Sequence, residues 1–411
     1  MNILFIHEID WLKKVVFEIH TLSELLSLSG HHVYVIDYES MWKRERFLDF
    51  GSLHTKVISN VNRAYPNAKV ELRRPGFIKI PGLSRFSALF TQYREIRRTI
   101  KEKKIDAIVL YSVPTSGLQA INLAKKYNIP VVFRSIDVLN QMVTSPLLRP
   151  LTRLLEKRVY SRADFIFALT PKMSKYVTDL GANSSRVGLL LIPVDTDMFR
   201  PMPDSGEIRR KWGLGAEDAV VLFIGTLFDF SGLDTLIRRF PEVLKEVPPA
   251  KLLIVGDGPQ RPKLEKIVTE TGMQKQVIIT GFQPYNTMPR YINTSALCIN
   301  TFLVNDTTRD IFPSKIVQYL ACAKAVVATR LPGMAAVING EEQGVIYSDD
   351  VDGVPGKIIA LLKSPERRKK LEQAGLAYVK QKHSNEIIAH QLEEKLAEVL
   401  KEKRKGTVAS R

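Results

Sequence analysis

Short apolar runs alternate with longer stretches of helical period along almost the whole chain. In the first half NILFIH, HVYVIDY, AIVLYS, PVVFRSID, FIFALT and LLLIPVD read as strands, and 13–29, 117–127 and 151–162 as helices, with a further helix opened by Pro171. The second half repeats the scheme, with VVLFIGT, KLLIVGD, VIITGF, ALCINT and AVVAT as strands, helices over 232–246, 259–271 and 285–293, and a helical tail from Val354. Unbroken β-branched and apolar runs suit strands covered on both faces. Strands separated by helices imply an α/β fold with parallel sheets and helices on both sides. The stretch DIFPSKIVQYLACAKAVVAT, 310–329, reads as a loop, a short helix and a buried strand. Pro313 fits a first helical turn and Ser314 can cap free amides, which predicts a helix starting near 313.

A chain of 411 residues exceeds what one hydrophobic core usually serves, so two domains are expected. Pro201, Pro203 and Gly206 mark the linker. The expected division is 1–200, 201–380, and a final helix with a basic tail over 381–411. The two cysteines, Cys298 and Cys322, lie in apolar runs without metal-like spacing and read as buried thiols in a reducing compartment. The first strand starts at once, without room for a cleaved leader, and no run has the apolar length of a membrane span. The expectation is a cytoplasmic chain. No Ser/His/Asp triad, Walker loop or zinc spacing is present.

The net charge of +17 is uneven, with 30 Lys and Arg against 18 Asp and Glu in residues 1–200. Within that half, 73–104 interleaves Arg73, Arg74, Lys79, Arg85, Arg94, Arg97 and Arg98 with Phe77, Ile78, Ile80, Phe86, Leu89 and Phe90. Such a mixture suits either peripheral contact with an anionic membrane surface or a partly buried amphipathic helix with a solvated charged end. Nucleic acid ranks below both, because no helix-turn-helix, zinc or aromatic stacking motif accompanies the charge.

The 310–329 stretch also resembles the donor-site signature of the retaining family 4 (group 1) glycosyltransferases, in which two glutamates stand ahead of and within a helix ending ACGxPVVAT. The aligned residues here are Asp310 and Gln318. The resemblance covers most of the chain and is most specific in the second half. It implies a GT-B architecture: two facing Rossmann-like domains with parallel sheets and a C-terminal helix crossing back to the first. The second domain would hold a nucleotide diphosphate sugar, the first an acceptor that is lipid-linked or otherwise membrane-associated. A glycosyl unit would move with retention, without a metal or other cofactor.

The same resemblance implies the roles of single residues. Asp310 would contact the donor sugar and Gln318 the ribose hydroxyls, with Phe312, Pro313 and Ser314 at the diphosphate. Gly225, Thr226 and Ser231 align with a GRLxxxKG element whose arginine and lysine offset the leaving diphosphate. Both cations are missing here, and Lys315 and Arg309 are the nearest replacements. Gly256, in a GDGP turn, and Gly281 with Phe282 would lie near the nucleotide. In the first half Asp137 occupies part of an HD motif whose histidine position is Ile136. It either touches acceptor or sugar hydroxyls or caps the next turn. Glu8 is the candidate acceptor-orienting group or base, beside a His7 read as structural. Asp195 and Asp197 spell DxD, but within an element resembling the family's GVDxxxF they read as structural. The expected catalytic set is Asp310, Lys315 and Asp137. The lost glutamate, arginine and lysine leave a second reading open, a non-catalytic relative that binds a nucleotide sugar or a partner glycosyltransferase.

Overall fold

A computed structural model describes the chain except Val15, 40–49, 81–82, Asp137, 140–142, 144–147 and 410–411. The chain forms two compact units, 1–191 with 385–411, and 192–384.

The first unit contains strands β1 (Asn2–Ile6), β2 (His32–Ile36), β3 (Thr55–Val61), β4 (Val70–Pro75), β5 (Ala107–Leu110), β6 (Val131–Ser135), β7 (Phe165–Ala168) and β8 (Val187–Leu189). Helices α1 (Glu18–Leu28), α2 (Leu83–Lys103), α3 (Gly117–Lys126), α4 (Arg149–Tyr160) and α5 (Pro171–Asp179) connect them. The sheet order is β3-β4-β2-β1-β5-β6-β7-β8, parallel except for the β3–β4 pair. Alternate residues of β1 serve opposite faces. Ile3 and Phe5 pack with Trp11, Leu22 and Leu26, while Leu4 and Ile6 pack with Ile96, Ile121 and Val159. This two-sided burial is why the strand reads as an unbroken apolar run.

The second unit contains β9 (Ala219–Ile224), β10 (Ala250–Val255), β11 (Val277–Ile279), β12 (Leu297–Asn300), β13 (Val326–Thr329) and β14 (Val345–Ser348), all parallel, in the order β11-β10-β9-β12-β13-β14. Its helices are α6 (Glu207–Trp212), α7 (Leu233–Glu246), α8 (Arg261–Glu270), α9 (Met288–Thr294), α10 (Lys315–Ala321), α11 (Pro332–Ala335), α12 (Val354–Leu362) and α13 (Pro365–Lys382). The last helix, α14 (Asn385–Ala409), returns to the first unit, where Ile388, Leu392, Leu396 and Val399 join the Ile3 and Phe5 side of its core.

Several expectations need correction. The first helix starts at Glu18 rather than 13, because the Asp10 carboxylate accepts the amides of Leu12 (3.1 Å) and Lys13 (3.2 Å) and holds a turn there. The LLLIPVD strand is absent: the sheet takes Val187–Leu189 instead. The β3–β4 pair lies in a region read as carrying no strand, and it changes the meaning of the basic segment. Arg73 and Arg74 stand on β4, buried in ion pairs, Arg73 with Glu71 (2.7 Å) and Glu95 (2.8 Å), Arg74 with Asp10 (2.7 Å) and Asp37. They are structural cations. Phe77 is also inside, stacked on Tyr38.

Candidate functional site

In the second unit the strand order reverses between β9 and β12. Open parallel sheets take ligands beyond the carboxyl ends of strands at such a reversal. Three glycine turns close that end. The Gly225 amide, after β9, donates to the Val255 carbonyl of β10 (3.0 Å), and the Gly256 amide, after β10, donates to the Gly281 carbonyl (3.1 Å). Gly256 has φ 155°, and a Cβ there would overlap the Gly225 carbonyl oxygen. Only a residue without a side chain lets these backbones meet.

Lys315 opens α10 and reaches into the same corner. Its Nζ lies 3.6 Å from the ring centre of Phe223 on β9 and 4.2 Å from that of Phe302, just past β12. It is also 3.5 Å from where a Gly225 Cβ would stand. The amine is buried without a hydrogen-bond partner, and burial alone pulls it well below the usual lysine range. Stacking on ring faces returns about 2 kcal/mol to a desolvated cation, whereas removing an ammonium from water costs several kcal/mol. The rings therefore do not replace an anion. Asn300 ends β12 with both amide atoms buried and unpartnered. Among the described residues of the second unit, Lys315 and Asn300 are the side chains with buried polar atoms lacking a partner, and both belong to the β9/β12 reversal. Folded proteins leave few such atoms.

The helix begins at Lys315, close to the expected 313, and the Pro313 carbonyl accepts the Ile316 amide (3.0 Å). Ser314 takes the N-cap place with helical backbone angles (φ −56°, ψ −28°) and makes no side-chain cap bond. With seven residues α10 is short, and the basic side chain buried at this corner is the Lys315 amine. Asp310 is partly buried and its backbone is clamped by α11, the short helix after β13: the Gly333 amide donates to the Arg309 carbonyl (2.8 Å), and a Cβ on Gly333 would stand 2.5 Å from the Asp310 carbonyl oxygen. Arg309 is exposed, loosely paired with Asp306 (3.6 Å).

The remaining expected donor residues divide. Gln318 accepts no charge partner; its Nε2 donates to the Tyr285 hydroxyl (3.2 Å), whose ring packs edge-on against Phe199. Phe312 and Pro313 are buried, Phe312 stacked on His383 (centroids 6.0 Å apart), which anchors the loop. Ser314 is exposed. Thr226 is exposed, whereas Ser231 is buried and its carbonyl accepts the Thr301 hydroxyl (2.6 Å), so the two do not form a matched hydroxyl pair. Phe282 is 71% exposed beyond β11. Asp195 Oδ1 accepts the amides of Asp197 (3.0 Å) and Met198 (2.8 Å), a local turn. Sequence reasoning missed Phe223, Phe302, Asn300 and Gly333, although a glycine or polar residue at a strand end is a readable signal.

In the first unit Asp137 lies outside the described residues. Glu8 accepts the Thr115 amide (2.7 Å) and hydroxyl (2.8 Å) and the Ser116 amide (3.0 Å), with Arg85 3.8 Å away. These bonds tie it to the entry of α3. A second polar group was missed. Arg134 of β6 donates twice to Glu18 (2.6 and 2.7 Å), which also accepts the Tyr111 hydroxyl (3.1 Å), and His7 packs against Tyr111. Arg134 Nη1, Ser135 Oγ and His7 Nδ1 are buried without partners. Burial lowers His7 to about 3, so its imidazole is neutral. The arginine inside the apolar run VVFRSID was the available signal.

Residues 204–377 match the family model for glycosyl transferases group 1, and 19–192 that for a glycosyl transferase 4-like domain. The chain is 30% identical over 231 residues to the GDP-mannose-dependent alpha-(1-6)-phosphatidylinositol monomannoside mannosyltransferase of Mycolicibacterium smegmatis, a match covering 55% of this chain and 60% of that protein. Among solved structures it is similar to sucrose-phosphate synthase from Thermosynechococcus elongatus (TM-score 0.73, 18% identity, 97% and 98% of the two chains). It is similar too to Anabaena HepE in complex with UDP-glucose (TM-score 0.70, 17% identity, 97% and 100%). These structural likenesses establish the fold.

Proposed function

We propose, for a chain that belongs to the group 1, family 4 type glycosyltransferases of the GT-B fold, that it moves a sugar from a nucleotide diphosphate sugar to an acceptor hydroxyl with retention at the anomeric carbon. One observation carries the donor assignment: the unpartnered Lys315 amine at the β9/β12 reversal, beside the turns at Gly225, Gly256 and Gly281. A diphosphate seated there supplies the missing anion. Asp310, held by Gly333, contacts the sugar hydroxyls, and Gln318 with Tyr285 serves the ribose as neutral hydrogen-bonding groups.

The reaction is a front-face displacement. The bond from the anomeric carbon to the β-phosphate oxygen breaks, the acceptor oxygen bonds to that carbon from the same face, and the acceptor proton passes to the departing phosphate. Lys315 stabilises the charge that develops on the phosphate, which replaces the arginine and lysine absent at Thr226 and Ser231. The acceptor side belongs to the first unit. A membrane-associated acceptor is supported by the lipid named for the mycobacterial relative. It is supported also by α2, where Leu83, Phe86, Phe90 and Tyr93 form an exposed apolar stripe with Arg94, Arg97 and Lys101 on the same side.

The test is incubation of the purified protein with radiolabelled UDP-, GDP- and ADP-sugars and a membrane lipid extract, followed by NMR of the product's anomeric proton. Formation of an α-linked product from an α-linked donor is expected. Saturable donor binding without product would replace this proposal with the non-catalytic reading, and an inverted linkage would remove the front-face mechanism.

A further inference from the structure

The Lys315 amine faces Phe223 of β9, Phe302 past β12 and the backbone of Gly225. Among the described residues no carboxylate, imidazole or second cation bears on it, and Tyr319, one helical turn on, has its hydroxyl at the Ile224 amide (2.8 Å). A fixed ammonium there would need a counter-ion that the fold does not provide. A neutral amine fits the apolar walls without one. Resting on the donor-site reading above, we propose that Lys315 is an uncharged amine while the site is empty and takes one proton from solvent as the donor diphosphate enters. No donor bond changes in this step: the amine becomes an ammonium and the buffer gives up the proton.

The coupling has a direct benefit for the chemistry. The site stores no buried charge when empty, yet presents a full cation to the phosphate oxygens when the leaving group departs. Donor affinity should then weaken as pH rises, by about tenfold per pH unit between the amine's titration in the empty and the occupied site.

Calorimetric titration tests this with UDP-glucose and GDP-mannose, whose pyrophosphate carries no group titrating near neutrality. Each titration is repeated at neutral pH in buffers of different ionisation enthalpy. For the wild type the slope should report uptake of about one proton per donor bound. Lys315→Arg keeps a permanent cation and should bind with a slope near zero, while Lys315→Met, similar in shape, should bind at least about tenfold more weakly. A wild-type slope of zero with weakened binding by Lys315→Met would overturn the proton coupling and leave the donor site standing. Unchanged affinity in a folded Lys315→Met, or no binding of either sugar nucleotide to the wild type, would overturn both.

Discussion

One methyl group at Gly333 tests how tightly the protein holds Asp310. Its Cβ would sit 2.5 Å from the Asp310 carbonyl oxygen and 2.9 Å from its Cα, both backbone atoms that cannot swing aside. Gly333→Ala should therefore push the 309–310 segment outward. A displacement near 1 Å is worth about a hundredfold in turnover when it moves a positioning group, while overpacking costs stability by about 1–3 kcal/mol. Steady-state kinetics and a thermal melt on the same variant separate the two, and full activity in a folded variant would free Asp310 from its assigned role. The position of Asp310 was legible in the sequence because a carboxylate just ahead of a short helix and a buried strand is a local pattern. Its clamp was not legible, since Gly333 comes from the short helix beyond β13. The same holds for Lys315, whose place at the helix start could be read, but whose isolation depends on Phe223 of β9 and Phe302 from the segment just past β12.

At the level of elements, the alternation of strand and helix was readable wherever strands are buried on both faces, as β1, β5, β9 and β10 are. It failed at β3, whose burial is confined to its ends, and at β4, where arginines interrupt the apolar run. A one-sided edge strand and a buried charged strand both lack the continuous apolar signal. The error also spread the basic segment over two elements with different fates: β4 takes its cations inward and α2 keeps its cations outside. Membrane contact through α2 therefore depends on the helix alone. Replacing Phe86 and Phe90 by Asp removes two aromatic side chains, worth about 1.5–3 kcal/mol each when fully buried, and should abolish flotation with anionic liposomes. Arg94→Gln with Lys101→Gln removes about 1 kcal/mol each, roughly thirtyfold in partitioning together, and should flatten the salt dependence. Flotation unaffected by all four changes would exclude this face.

Over the whole molecule, His20 and His383, both buried, and the half-buried His7 make both units sensitive to acid for one physical reason. Burial lowers His7 to about 3 and His20 to about 4 in the first unit, and His383 to about 4 in the second. His383 Nδ1 lies 2.8 Å from the Ile192 carbonyl and the Val194 amide donates to the His383 carbonyl (2.8 Å), so this ring stands where the chain enters and leaves the second unit. Above pH 6.5 the unfolded and folded chains both hold these rings neutral, and the histidines contribute no pH dependence. As pH falls below 6.5 the unfolded chain takes up the protons while the folded chain does not. Folding then loses up to about 1.4 kcal/mol per pH unit for each histidine, until the folded ring itself titrates. Hydrogen exchange followed by mass spectrometry reads each unit separately, which a single melting transition of a two-unit chain would not. Between pH 7 and pH 5.5 the His383→Gln variant should lower the opening free energy of the second unit by an amount that shrinks as the pH falls. The loss present at pH 7 reports packing, and its shrinkage reports the proton. An unchanged pH slope in that unit would mean that His383 takes up its proton as readily in the folded protein as in the unfolded chain, in which case its stack on Phe312 would join a cation, not a neutral ring, to the loop that carries Asp310 once the pH falls below the ordinary histidine range.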